Sequence, residues 1–116
     1  VCGAFHKPYV SKYLEMFKDD FKSITVIRGN EGDIEVFKDS KFWQKKDGKI
    51  EEYDFCLQDY GVSYSKSFEN ITLEENLNIL RNYDDEILNL AKFNVALYLL
   101  FAKRVDSLDE AWQRLN

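Results

Sequence analysis

One proline, five glycines, two cysteines, one histidine and one methionine are all that this 116-residue chain holds of the residues that punctuate, staple or ligate. With so little proline and glycine, no flexible linker or low-complexity arm is expected. Two thiols, Cys2 and Cys56, and one imidazole, His6, fall short of any zinc or iron–sulfur ligand set, so no metal and no cofactor is anticipated. Both cysteines read as free thiols, because a chain with this much apolar residue needs no disulfide to hold a core. Long hydrophobic runs are missing too. The longest, Val95 to Ala102, covers eight residues, against about 20 for a membrane-spanning helix. The first twenty residues show neither a sustained apolar region nor a small-residue cleavage site, which predicts no secretory leader and a cytoplasmic location.

Positive charge is also in short supply. Sixteen Lys and Arg against 21 Asp and Glu leave a formal charge of -5, which argues against a protein that binds nucleic acid by neutralising phosphates. The one basic stretch, residues 38 to 49, carries five lysines and two aspartates and reads as a solvated hairpin. What is present is core material. A content of 45% hydrophobic and 16% aromatic residues suffices for one core, and 116 residues would make two independent cores small, so a single α+β domain over 1–116 is expected.

Periodicity orders the chain. Pro8 followed by Val10, Tyr13, Leu14 and Phe17 predicts an amphipathic first helix. After Phe21 the pattern turns to period two. "SITVIRG" and "DIEVFKD" predict two strands joined by the "GNEG" turn, and Asp47-Gly48 predicts a two-residue hairpin loop. The second arm alternates Tyr53, Phe55 and Leu57 with Glu52, Asp54 and Cys56, and "GVSYSKSF" completes a five-stranded antiparallel meander. From Thr72 onward the reading is helical. "TLEE" and "SLDE" match capping boxes, "NYDD" predicts a break, and a long helix is expected from about Asp84 to Arg104. This helical block is expected to pack on the sheet.

The long helix carries more apolar surface than one packing layer covers. A wheel groups Ile87, Ala91, Val95, Tyr98, Phe101, Ala102 and Val105 on one face, with Phe93, Leu97 and Leu100 on a second. The first face reads as core and the second as further core or an interface. Asn94 falls on the apolar side and should therefore be hydrogen-bonded.

Catalytic chemistry is thinly represented. Cys56 lies within a strand pattern, and Cys2 with His6 is a short-range pairing near a chain end, a weak nucleophile–base signal. Asp33 with Glu35, and Glu52 with Asp54, share strand faces as paired carboxylates would, yet an outward face in an acidic protein looks the same. No phosphate loop, nucleophile elbow or dinucleotide fingerprint occurs. A non-enzymatic protein-binding role follows, of the kind played by immunity-type inhibitors that neutralise a basic toxin or nuclease. The expected contact surface is Glu51, Glu52, Asp54, Asp59, Tyr60 and Tyr64. The alternatives are a homo-oligomeric accessory subunit, as a homodimer using Phe93, Leu97 and Leu100, and a small enzyme or ligand-binding domain with a pocket between sheet and helices, using Tyr53, Tyr64 or Glu52.

Overall fold

A computed structural model describes residues 1–65 and 70–116. The fold is α+β, and the chain divides into two compact units, Val1–Cys56 and Leu57–Asn116.

In the first unit, a two-residue strand β1 (Cys2–Gly3) leads into helix α1 (Lys7–Met16), followed by β2 (Ser23–Ile27), β3 (Ser40–Lys46) and β4 (Lys49–Phe55). The sheet runs in the order β1-β2-β3-β4. Pro8 sits in the first turn of α1, where its missing N–H costs nothing. Val10 and Leu14, one turn apart, are buried against Ile24, Val26 and Trp43. Asp47 and Gly48 both adopt positive φ, 52° and 78°, as a twist-matched two-residue hairpin requires. That turn fixes the β3–β4 register, with Phe42 opposite Tyr53 and Trp43 opposite Glu52.

The sheet differs from the expected five-stranded antiparallel meander in three places. β1 lies parallel to β2, with Cys2 opposite Val26, so the sheet is mixed and opens with a β-α-β crossover. The stretch around Ile34 and Val36 forms no strand. Glu31 and Gly32 take positive φ, and the Asn30 N–H donates to the Glu35 carbonyl at 2.7 Å, so the chain closes a loop where a straight strand was expected. Val36 is buried all the same, which accounts for its apolar character. Of the expected fifth strand, residues 66 to 68 lie outside the described residues, and Gly61 to Ser65 are not extended into the sheet. Gly61, at φ 66°, closes a 3₁₀ turn over Leu57–Tyr60, and the Ser65 N–H donates to the Glu86 carboxylate.

The second unit contains α2 (Leu73–Arg81), α3 (Asp85–Phe101) and α4 (Leu108–Leu115). Each helix start is set by a side-chain cap. At α2 the Thr72 hydroxyl accepts from the Glu75 N–H at 3.2 Å while Glu75 accepts from the Thr72 N–H at 2.7 Å, satisfying two orphan donors at once. Asp84 accepts from the Ile87 N–H at α3, and Ser107 from the Glu110 N–H at α4. At α4 the returning Glu110 carboxylate reaches the N–H of Asp106, one residue before the cap. The long helix stops at Phe101, short of the expected Arg104, because Lys103 turns to φ 57°.

Around α3, Ala96, Val105 and Ala111 form a small core against Leu99, Leu100, Leu108 and Leu115. Tyr60, Phe93 and Trp112 form an aromatic cluster with centroids 5.3 to 6.3 Å apart. The first face of the wheel is only partly interior: Phe101 and Val105 are buried and Ile87 half-buried, but its middle is not. Leu90, Phe93, Asn94, Ala96, Leu97 and Phe101 are buried, whereas Ala91, Val95, Tyr98 and Ala102 are exposed. Of the second face, Phe93 and Leu97 are interior and Leu100 is half-buried. Asn94 is buried and donates through its side-chain amide to the Leu90 carbonyl at 3.0 Å, which settles the amide as the burial argument requires.

Candidate functional site: a polar cleft at the ends of the parallel strands

Ligands of sheets that contain parallel strands gather beyond the carboxyl ends of those strands, where the connecting loops leave the sheet. In the first unit those loops are Ala4–His6 after β1 and Arg28–Gly32 after β2. The Ala4 N–H donates to the Ile27 carbonyl at 2.9 Å, holding the two exits side by side. Two glycines let the loops lie against each other. A Cβ on Gly29 would stand 1.9 Å from the Asp33 carbonyl oxygen, and one on Gly3 would stand 2.2 Å from that of Gly32. The far wall is tied down as well: the Arg28 N–H donates to the Lys41 carbonyl at 3.0 Å, and the Ser40 hydroxyl donates to the Arg28 carbonyl at 2.5 Å.

These constraints shape a cleft of about 630 Å³. Phe5 and His6 line it from the β1 exit, Arg28 and Glu31 from the β2 exit, Lys38 to Lys41 from the start of β3, and Asp54 and Phe55 from the end of β4. Arg28, Lys38 and Lys41 line it together with Glu31, Asp39 and Asp54. Lys41 is engaged, 3.2 Å from Asp54 and 3.8 Å from Glu52. Arg28 and Lys38 make no ion pair to any described residue and line the cleft. The cleft is lined by charge of both signs, with Ser40, whose hydroxyl donates to the Arg28 carbonyl, and the imidazole His6 beside it.

The residues expected from sequence to form one contact surface fall in both units. Glu51, Glu52 and Asp54 lie on β4. Glu51 accepts from the Tyr53 hydroxyl, and Glu52 and Asp54 flank Lys41. Asp59, Tyr60 and Tyr64 belong to the second unit. There the Tyr60 hydroxyl donates to Asp109 at 2.7 Å, and burial together with that carboxylate pushes its pKa well above the usual tyrosine range. Tyr60 is thus committed to the aromatic cluster and Tyr64 is half-buried, while Asp59 is exposed. Cys2 does not share the cleft with His6. It lines a separate apolar depression with Phe17, Phe21 and Ile24, and burial pushes its thiol pKa upward, away from the thiolate a nucleophile needs. Both cysteines are free.

Arg28 did not stand out in the sequence, and Lys38 and Ser40 fell in the basic stretch 38 to 49 that read as a solvated hairpin. The signal available was the pair of glycines in "RGNEG", which marks close backbone approach as well as a turn. Fold and cleft together define an α+β chain that opens with a parallel β-α-β crossover and carries a polar concavity at its strand ends. No protein-family model matches the chain, and no curated protein sequence matches it. Among the described residues no helix is long and apolar enough to cross a membrane, and no group of three His, Cys, Asp or Glu side chains is placed to hold a metal ion.

Proposed function

We propose that the first unit is a ligand-binding domain whose cleft holds a small anionic molecule between Arg28 and Lys38. The supporting observation is that these two cations line one concavity at the carboxyl ends of β1 and β2, each without an ion-pair partner among the described residues, although Glu31, Asp39 and Asp54 line it as well. An anion there would gain charge-assisted hydrogen bonds that the free protein leaves unmade. The Ser40 hydroxyl and His6 add shape and polarity, and the Phe5 ring supplies an apolar wall. Binding is assigned without a reaction. The test is thermal shift and calorimetry with inorganic phosphate, sulfate, and di- and tricarboxylates. A saturable stabilisation that disappears in Arg28→Ala/Lys38→Ala, with the far-ultraviolet circular dichroism unchanged, supports the reading. No stabilisation by any of these anions sinks it.

A second reading rests on β4. It is an edge strand exposed from Lys49 to Asp54, and it displays Glu51, Glu52 and Asp54, which suits a basic protein partner of the kind an immunity-type inhibitor neutralises. A basic protein captured at low salt, released at high salt and lost in Glu51→Lys/Glu52→Lys would support it. No captured protein at low salt would count against it.

A further inference from the structure

The cleft at the strand ends has an aromatic wall as well as its charges. Phe5, at the β1 exit, lines it and is 52% exposed. The neighbouring loop sets its place: a Cβ on Gly32, where φ is 88°, would lie 3.6 Å from the Phe5 Cβ. The Phe5 and His6 rings stand edge-on, with centroids 4.4 Å apart and planes at 88°. An edge-on pair occupies the face of one ring only, so the half-exposed Phe5 keeps area on which a flat ring can stack. Size points the same way. At about 630 Å³ the cleft falls within the range of roughly 300 to 1,000 Å³ found for sites that take whole organic molecules, whereas a bare oxyanion amounts to a few water volumes of about 30 Å³ each. Charge narrows the choice further. Glu31, Asp39 and Asp54 line the cleft beside Arg28 and Lys38. A ligand negative along its whole length would meet like charge from those carboxylates, while one charged at a single end keeps that charge beside the cations.

We infer that the occupant is an aromatic anion: a flat ring stacked on Phe5, carrying one phosphate or carboxylate held between Arg28 and Lys38. This rests on the anion reading of the cleft and adds to it the ring and the limit of one anionic group. Tricarboxylates are then the poorer ligands.

Isothermal titration calorimetry on the intact chain compares matched pairs that differ by the ring, phenyl phosphate with inorganic phosphate and benzoate with acetate. Whichever pair binds separates a phosphate from a carboxylate ligand. The ring-bearing member should bind about tenfold tighter, with a more negative heat-capacity change from burial of the ring. Phe5→Leu should bring that affinity ratio close to one and Phe5→Tyr should keep it, with circular dichroism as the control for folding. Equal affinity within both pairs, or a ratio that survives Phe5→Leu, overturns the inference and leaves the anion reading standing. A tricarboxylate that outbinds both ring-bearing ligands overturns it as well. No binding by any of these ligands overturns both.

Discussion

Gly29 shows how little room the cleft floor has. The nearest atom to an added methyl group is the Asp33 carbonyl oxygen, at 1.9 Å, and a backbone atom cannot turn aside as a long side chain would. Gly29→Ala should therefore displace the 28–35 loop, destabilising the first unit by about 2 kcal/mol or more in urea unfolding. Anion-induced stabilisation should fall with it, because Arg28 is the adjacent residue. Tyr60 tests the second unit at the same scale. Because folding raises its pKa, the associated stability is fully present below the ordinary value of 10.0 and is lost as pH rises through the folded value. Ultraviolet absorbance during alkaline titration should show a late-ionising phenol that is missing in Tyr60→Phe. That substitution should also cost about 1 kcal/mol through loss of the hydrogen bond to Asp109.

Among the elements, α2 depends most on its cap. It has nine residues, too few for stability by propensity alone, and none of them is buried. Thr72→Ala should cost about 1 kcal/mol, read as faster amide exchange within α2. The capping carboxylates also make the helix starts sensitive to acid. Glu75 is held below its ordinary value of 4.5 by the hydrogen bonds from the Thr72 N–H and hydroxyl, and Glu110 by the Asp106 N–H and then by Arg114. Stability from such depressed groups is complete above the unfolded value and lost as pH falls through the folded one. The N-terminal turns of α2 and α4 should accordingly loosen below about pH 4.5, before any general loss of helix, with Glu75→Gln already loosened at neutral pH. These elements were also the readable ones. Thr72, Ser107 and the Asp47-Gly48 pair act over three or four residues, so local chemistry decides them. β1, at two residues, is shorter than any periodic signal, and Ile34 with Val36 alternates as a strand would while lying in a loop. On α3 the wheel could not choose a side, since Ala91, Val95 and Tyr98 are as apolar as Leu90, Phe93 and Leu97. The cleft was less legible still, because Arg28 and Lys38 come to line one cleft through the pairing of Arg28 with Lys41, a long-range event.

For the whole molecule, charge and apolar surface oppose each other. A formal charge of -5 keeps copies apart at neutral pH, while the exposed leucines of α2, Leu73, Leu77 and Leu80, favour contact. As pH approaches the isoelectric point near 4.9 the repulsion fades, and light scattering should show association rising to a maximum there and falling again on the acid side. The β3–β4 hairpin bears on how orderly that association is. Among the described residues its outer strand pairs with β3 alone, and Lys49, Glu51, Glu52 and Asp54 stud it with charge of both signs. A newcomer strand laid against that border would meet like charge at some rung in any register, so the sheet resists growing by accretion and amyloid-type templating has no smooth ledge on which to begin.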